Sequence, residues 1–133
     1  MKSQESPRKL PNQTPTLRVI PMPADTNAEG DIFGGWLLSQ MDLAGASEAY
    51  QYVGNRIVTV GVDSMNFHKP VFVGDEVSFF TDIRKVGKTS IAIHVEAWAR
   101  GRMDHEYRMV TEGVFTFVSI GRDRQPREIN RKC

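Results

Sequence analysis

The chain has 133 residues, of which 40% are apolar and 25% are charged, a composition typical of a single soluble globular domain. Its 17 basic and 16 acidic residues give a formal net charge of +1, which excludes a global field that would recruit nucleic acid or an anionic membrane. The single cysteine, Cys133, excludes an internal disulfide, and no apolar run approaches the ~20 residues of a membrane span, so a cytoplasmic protein is expected.

The two ends of the sequence differ in composition from its middle. Residues 1–15 combine three prolines with mostly polar side chains and lack the apolar stretch of a signal peptide, which predicts a flexible leader. Residues 122–133 predict a charged tail. One folded domain is therefore expected at residues 16–121.

A short strand, a loop and one long helix are predicted in the first part of this domain. Leu17–Ile20 has the pattern of a strand, and residues 25–30 have the composition of a loop. The stretch Gly34–Val53 contains no proline, and its charged residues are Asp42 and Glu48 alone. A helix as apolar as this belongs inside a domain, with most of its surface covered.

Four strands are predicted after the helix, because apolar and β-branched residues alternate with polar ones between turn signals. They cover residues 57–67, 76–86, 90–99 and 107–120. Gly61 in the first of them indicates a bulge or a close approach. Alternation in the third places four apolar side chains on one face: Ile91, Ile93, Val95 and Ala97. Short glycine-bearing connections predict that strands consecutive in sequence pair antiparallel.

These elements predict an α+β fold in which a twisted five-stranded antiparallel sheet wraps around one buried helix. With so apolar a helix in so short a chain, a single sheet is expected to leave apolar surface open. Self-association would cover that surface, so a dimer is the minimum expectation.

The start of the helix has the residues for chemistry on a carbonyl group. The backbone N–H groups of Gly34 and Gly35 precede the first intrahelical hydrogen bond and could donate to an oxyanion. Asp42 follows Gly35 by seven residues, close to two helical turns, and could act as an acid or base on the same bound group. Two structural alternatives remain, in which the glycines serve close packing of the helix on a strand and Asp42 is a solvated helix position.

Four segments carry a family resemblance that covers roughly residues 14–120. They are Met22-Pro-Ala-Asp-Thr-Asn-Ala-Glu-Gly-Asp-Ile-Phe-Gly-Gly-Trp-Leu-Leu-Ser-Gln-Met-Asp42, Val58-Thr-Val60, Asp63-Ser-Met-Asn-Phe67 and Val73-Gly-Asp75. In these segments the chain resembles the hot-dog-fold acyl-CoA thioesterases of the YciA type.

The resemblance implies a fold, a reaction and an assembly. The fold is the α+β hot-dog fold, with one long central helix wrapped by a five-stranded antiparallel sheet. The reaction is hydrolysis of acyl-CoA to a free acid and CoA, so CoA is part of the substrate and a product, and no separate cofactor is expected. The assembly is a homo-oligomer of dimers that pair sheets edge to edge, a tetramer or hexamer, with active sites at the dimer interface that contain elements of both subunits.

Under this resemblance Asp42 is the general base or the nucleophile, acting on a thioester whose oxygen the helix-start amides hold, and the sequence leaves the two routes open. Asp31 either caps the helix or helps to orient water. Asn27 is a second candidate for that role, with turn formation as its alternative. Thr59 either hydrogen-bonds the Asp42 carboxylate or serves only as a strand residue.

The phosphates of CoA require a local basic cluster in a chain that is nearly neutral. The candidates are Lys69, which follows a predicted strand, and a hairpin that offers cations, hydroxyls and backbone amides: Arg84, Lys85, Gly87, Lys88, Thr89 and Ser90. The alternative is a solvated hairpin tip whose lysines protect a sheet edge.

The three histidines do not have the spacing of a metal site, so no metal is expected. His68, in Phe67-His-Lys-Pro70, resembles the histidine motif of hot-dog hydroxyacyl dehydratases, which would need an acid on the helix such as Glu48. His94 is expected on the polar face of a strand. A dehydratase and a non-catalytic acyl-CoA-binding protein therefore remain as alternatives to the hydrolase.

Overall fold

One long helix and five strands form in the part of the chain that the computed structural model describes, residues 9–129. The remaining residues of the predicted leader and tail, 1–8 and 130–133 with Cys133, lie outside the described residues. The elements are β1 Leu17–Val19, a 3-10 turn Pro23–Asp25, α1 Gly34–Val53, β2 Arg56–Phe67, β3 Glu76–Val86, β4 Ser90–Arg100 and β5 Arg108–Ile120. They confirm the predicted helix and strands to within one residue at each end. None of the helices within residues 9–129 is long and apolar enough to cross a membrane.

The core lies between α1 and the concave face of the sheet. The four β4 residues predicted to share a face are fully buried there, together with Phe79, Phe115 and Phe117 from the neighbouring strands. Leu37, Met41 and Ala44 of α1 pack against them. Burial of an aromatic or branched side chain contributes about 1.5–3 kcal/mol each, so this layer is the main source of stability.

Gly45 lets the helix approach the sheet closely. A Cβ atom at this position would lie 3.1 Å from Phe117 Cζ and 3.5 Å from Val95 Cγ2. A side chain here would therefore force α1 and the sheet apart. The helix ends at Gly54, whose φ of 67° is the left-handed conformation that favours glycine and whose N–H donates to the Tyr50 carbonyl.

The strands are ordered β1-β3-β4-β5-β2, and every pair is antiparallel. The prediction that consecutive strands pair is confirmed for β3–β4 and β4–β5 and is wrong for β2–β3, because β2 pairs with β5 at the far edge. Residues 68–75 form a crossover between β2 and β3 instead of a hairpin. Val71 in this crossover is buried, and its carbonyl accepts a hydrogen bond from Ile32 N at 3.0 Å. The crossover therefore closes one end of the core.

Two bulges interrupt β2. The register shifts between Thr59 and Gly61, which confirms the predicted bulge, and again between Asp63 and Asn66, where Ser64 has a φ of 53°. Each bulge adds one residue, so the side chains beyond it change faces. Thr59 before the first bulge and Phe67 after the second both point to the helix side of the sheet, where each contacts α1 or its start.

Apolar surface remains open along β2 and on the outer side of α1, as expected. Val60 and Phe67 of β2 are 57% and 56% exposed, and Leu43 and Tyr50 of α1 are 59% and 52% exposed. An edge strand with free backbone groups and exposed apolar side chains is a template for another chain. β2 is therefore an open, partly apolar edge of the sheet in the single chain.

A chain of polar contacts joins the segment before β1 to the opposite flank of α1. Gln13, in the predicted leader, donates from Nε2 to the Thr81 carbonyl at 3.2 Å, and the hydroxyls of Thr16 and Thr81 lie 2.6 Å apart. The Thr81 hydroxyl also donates to Glu48 Oε1 at 2.9 Å. The two carboxylates of α1 therefore lie on different flanks, Glu48 toward β3 and Asp42 toward β2.

A charged cluster at the start of β3 predicts acid sensitivity. Arg100 donates to Glu76 at 3.0 Å, and this hydrogen bond, with the positive charges of Arg100 and Arg18, holds the pKa of the Glu76 carboxyl below its ordinary value of 4.5. A carboxyl with a depressed folded-state pKa stabilises the fold above its unfolded-state pKa and loses this contribution as the pH falls through the folded-state value. We expect the wild-type Tm to exceed that of Glu76→Gln at pH 7, with the difference shrinking below about pH 4.5. A Tm difference that does not change with pH would contradict this expectation.

Candidate active site

The N-terminus of α1 has two backbone donors at its mouth. Phe33 is the N-cap residue, and both Trp36 N and Leu37 N are directed at its carbonyl, at 3.1 and 3.4 Å. The N–H groups of Gly34 and Gly35 therefore precede the first intrahelical hydrogen bond and point out of the helix. Together with the helix dipole they form an environment suited to an oxyanion.

Close packing does not account for the two glycines. A Cβ atom on Gly35 would meet no described atom within 4 Å, and one on Gly34 would make an ordinary contact of 3.4 Å with the Phe67 ring. The alternative that both serve tight helix–strand packing is therefore wrong. Open space lies in front of Gly35 instead.

Asp31 does not cap the helix, so the capping alternative for this residue is wrong. Two residues separate it from α1, whose N-cap residue is Phe33. Asp31 belongs instead to a loop organised by Asn27, whose Oδ1 accepts hydrogen bonds from Glu29 N and Asp31 N, both at 3.0 Å. The turn-forming alternative for Asn27 is thereby confirmed. The loop at residues 27–31 lies directly before the N-terminus of α1.

Asp42 is held on the flank of α1 that faces β2. The Thr59 hydroxyl donates to Asp42 Oδ1 at 2.8 Å, which confirms the predicted contact. Asp42 is a partly buried residue, and its bond to Thr59 argues against the alternative of a freely solvated helix position. A hydrogen bond from a fixed strand restricts the rotamers of the carboxylate and orients it for chemistry.

Gly35 and Asp42 lie on the same flank of α1 but cannot act on one carbonyl in the same chain. Seven residues correspond to a rise of about 10 Å along the helix, whereas a general base must reach its proton within ~3 Å or through one water. The expectation that the Asp42 of one chain serves the mouth of that same chain is therefore corrected. The flank that carries Asp42 borders the open edge of β2, where a second chain would lie.

A cavity of about 350 Å³ adjoins the helix mouth. Its wall combines apolar side chains with a few polar ones: Asn27, Asp31, Ile32, Gly34, Leu37, Phe67, His68, Lys69, Pro70 and Val71. Asp42, Gly35 and Thr59 do not line this cavity in the single chain. Sequence reasoning named Lys69 but missed Phe67, Pro70 and Val71 as neighbours of the helix mouth. The path of the crossover places them there, and that path is set by the non-consecutive strand order.

The predicted phosphate ligands do not meet within one chain. Lys69 N donates to the Val110 carbonyl, whereas Thr89 in the β3–β4 hairpin accepts a hydrogen bond from Ser119 N. These contacts are nine positions apart on β5, or roughly 30 Å. Lys69 borders the cavity, and the hairpin residues, Arg84, Lys85, Gly87, Lys88, Thr89 and Ser90, lie at the other end of the sheet.

The hairpin has the features of a solvated tip. Arg84 pairs with Asp82 at 3.0 Å, and Lys88 Nζ lies 3.9 Å from Glu128 Oε2, with all four side chains exposed. Gly87 N donates to the Ser90 carbonyl at 2.7 Å and closes the turn. A role for these residues in holding CoA phosphate stays a prediction.

Two of the three histidines meet around one glutamate on the face of the sheet away from α1. Glu112 accepts from His68 Nε2 at 2.9 Å and lies 3.1 Å from His94 Nε2. The ligand atoms of His94, Glu96 and Glu112 lie within 4.8 Å of one another. The sequence spacing did not reveal this grouping, because strand pairing places Glu96 opposite Glu112. Since His68 pairs with Glu112 and Glu48 with Thr81, the histidine and acid of the dehydratase alternative are not brought together within one chain.

Comparison with protein families gives one match over most of the chain. Residues 29–105 match the thioesterase superfamily. A protein of Zymomonas mobilis named as an uncharacterised acyl-CoA thioester hydrolase is 46% identical over 128 residues, covering 96% of this chain and 86% of its own length. The acyl-CoA thioester hydrolase YciA of Salmonella typhimurium is 46% identical over 117 residues, covering 85% of this chain and 87% of its own length.

Solved structures give the same picture. The hexameric thioesterase of Yersinia pestis superposes with a TM-score of 0.85 at 47% identity, covering 92% of this chain and 99% of that chain. A hexameric hotdog-fold thioesterase of Campylobacter jejuni superposes with a TM-score of 0.83 at 42% identity, covering 89% of this chain and 91% of that one. The expected hot-dog fold is thereby confirmed.

Proposed function

The chain belongs to the thioesterase superfamily, and we propose that it is an acyl-CoA thioester hydrolase whose active sites form between two copies of the chain. The single observation that carries this proposal is the position of Asp42, which Thr59 fixes on the same flank of α1 as the free amide of Gly35. Relatives that span nearly the whole chain are named acyl-CoA thioester hydrolases, so an acyl-CoA is the substrate class.

The reaction balances with water as the second substrate. A C–O bond forms at the thioester carbonyl, the C–S bond breaks, and CoA leaves as a thiol with a free acid as the other product. Water and acyl-CoA supply every atom of these products, so the proposal includes no separate cofactor and no metal. A cytoplasmic location, the compartment that the lone cysteine favours, is part of the same proposal.

Two copies are needed because one chain separates the donors from the base. If the β2 strands of two copies pair antiparallel about a two-fold axis, the mouth of each α1 comes toward the middle of the other copy. The amides of Gly34 and Gly35 then hold the thioester oxygen, and Asp42 of the partner subunit faces the carbonyl carbon. The exposed edge of β2, with Val60 and Phe67, supports this pairing.

Asp42 has two routes open to it at this position. As a general base it takes a proton from water as the water attacks, and as a nucleophile it attacks the carbonyl and gives a mixed anhydride that water then hydrolyses. In both routes the oxyanion is stabilised by the same amides. Since solved relatives are hexameric, we place the dimer within a hexamer.

Loss of the Thr59 hydroxyl is expected to lower kcat. A hydrogen bond to a charged group contributes about 1.5–3 kcal/mol, so Thr59→Val should lower kcat roughly 10- to 100-fold and leave KM close to that of the wild type. Thr59→Ser keeps the hydroxyl and should retain most of the activity. Steady-state kinetics with a thiol reagent that detects released CoA would measure both. Equal losses in the two variants would show that the hydroxyl does not act on Asp42.

Mixed oligomers test the shared site directly. Asp42→Asn removes the base, and Gly35→Pro removes an amide donor in the first turn of α1, where the lost N–H breaks no intrahelical hydrogen bond. When the two variants are produced together in equal amounts, half of the dimers contain one of each, and each such dimer has one intact site, so roughly a quarter of wild-type activity should return. If one chain supplied both groups to a site, every site would be defective and no activity would return.

A further inference from the structure

The crossover between β2 and β3 is tied to the segment that leads into the helix mouth. Ile32 N donates to the Val71 carbonyl at 3.0 Å, and both residues are buried. Ile32 directly precedes the N-cap residue Phe33. Both Ile32 and Val71 also line the cavity beside the mouth. A shift of the crossover therefore moves the wall of the cavity and the start of α1 together.

One side chain from β5 fixes this crossover from the other side. Arg108 Nη2 donates to Asp75 Oδ2 at 2.7 Å and to the Pro70 carbonyl at 3.1 Å, and its guanidinium lies 5.8 Å from the centroid of the Phe72 ring. The same Asp75 oxygen accepts a hydrogen bond from Phe72 N at 3.0 Å. Arg108 thus joins the two ends of the segment 70–75, because it bonds to Pro70 and to Asp75, and it holds this segment against the sheet.

The hold of Arg108 is confined to the last six residues of the crossover. His68 N and Lys69 N both donate to the Val110 carbonyl, at 2.7 and 3.3 Å, so the first two residues are fixed by β5 without Arg108. Asp75 is buried, and its partner Arg108 is 27% exposed at the side chain, so the pair is shielded from screening by solvent. Release of Arg108 would therefore remove the side-chain hold on residues 70–75 and leave them backbone contacts, such as those of Val71 with Ile32 and of Gly74 with Pro21, while β2 and β5 stay paired.

We infer that Arg108 is a positioning residue for the thioesterase site, acting through Pro70, Asp75 and Val71 on the helix mouth without touching the substrate. The inference rests on the proposed function, because it assigns the mouth amides to the thioester oxygen. A misplacement of about 1 Å in a catalytic site can lower the rate by 10²-fold. Loss of Arg108 is therefore expected to lower kcat and to leave substrate binding nearly unchanged.

The test compares two arginine–carboxylate pairs at the same end of the sheet. Arg100 pairs with Glu76 at 3.0 Å and is 25% exposed, close to the 27% of Arg108, but its contacts run to Glu76, Tyr107 and the loop at residues 101–104. Arg108→Met should lower kcat roughly 10- to 100-fold with little change in the inhibition constant of CoA. Arg100→Met, which removes an arginine of similar exposure, should keep kcat within about three-fold.

Amide hydrogen exchange gives a readout that does not depend on turnover. The Ile32 amide should exchange faster in Arg108→Met than in Arg100→Met, because the Val71 acceptor loses its support. If Arg108→Met does not fold, the lysine variants replace it, since lysine keeps the charge but lacks the planar fork of arginine. Arg108→Lys should then show lower kcat and faster Ile32 exchange than Arg100→Lys.

The role of Arg108 and the proposed function can fail separately. Equal kcat and equal Ile32 exchange in the matched arginine variants would overturn the role of Arg108 and leave the proposed function in place. A wild-type chain that does not hydrolyse any acyl-CoA would overturn the proposed function, whatever the exchange at Ile32 shows.

Discussion

Replacing Asp42 with asparagine is expected to lower kcat by at least ~100-fold, the usual contribution of a positioned general base. Asparagine has nearly the same shape, and its Oδ1 can still accept the hydrogen bond from the Thr59 hydroxyl that Asp42 accepts at 2.8 Å. The fold and the assembly should therefore persist while the proton acceptor or nucleophile is lost. Release of CoA from a ladder of acyl-CoA lengths, followed with a thiol reagent, measures the effect and gives the chain-length preference at the same time.

Glu48 provides the matched control, because it is the second carboxylate of α1 and is also bonded to a threonine on a strand. Glu48→Gln should keep kcat within about three-fold of the wild type. A loss in Asp42→Asn no larger than the loss in Glu48→Gln would remove Asp42 from the reaction. If the wild type and Asp42→Asn both bind CoA equally well and both have negligible turnover, the non-catalytic acyl-CoA-binding alternative would be favoured.

Replacing Gly35 with proline is expected to lower kcat roughly 100- to 1,000-fold, the usual cost of deleting one oxyanion donor. Proline removes the N–H of Gly35, which precedes the first intrahelical hydrogen bond, so the helix itself loses no internal bond. Because the donor acts most strongly on the oxyanion, the loss should fall on kcat more than on KM. The same continuous CoA-release assay measures both constants.

Gly35→Ala separates the amide from the small size of glycine. A Cβ at this position meets no described atom within 4 Å in the single chain, and alanine keeps the N–H, so the variant should retain most of the activity if the amide is what matters. If Gly35→Ala were as inactive as Gly35→Pro, the glycine would be needed for the space that a substrate or a partner chain occupies. Circular dichroism and the oligomeric mass would confirm that both variants remain folded and assembled.

The elements of this fold could be read from local patterns. Glycines bound the apolar stretch of α1, and alternation in β4 identified four side chains that line the core. The chemistry of the helix mouth was also local, since it depends on two adjacent glycines and an aspartate two turns later. The hydrogen bond between Thr59 and Asp42 was also predicted, as one of two alternatives for Thr59, from the positions of α1 and β2 and from the family resemblance of the sequence.

The features that could not be predicted depend on how distant segments meet. The pairing of β2 with β5 made the crossover a wall of the cavity, and no local signal in residues 68–75 distinguishes a crossover from a hairpin loop. The same sheet order separated Lys69 from the β3–β4 hairpin and brought His68 and His94 to Glu112. Helix rise alone, which was available from the sequence, would have shown that Gly35 and Asp42 are too far apart to share a carbonyl.

The strand order also sets when the site can form during synthesis. β2 leaves the ribosome before β3 and β4, but its strand partner is β5, the last of the five strands in chain order. Until β5 is made, Thr59 has no sheet to hold it beside Asp42, and β2 remains an unpaired strand. Folding therefore depends on the pairing of β2 with β5, two segments that are far apart in the sequence. A chain released before β5 is made would lack the sheet that holds Thr59 against the Asp42 carboxylate.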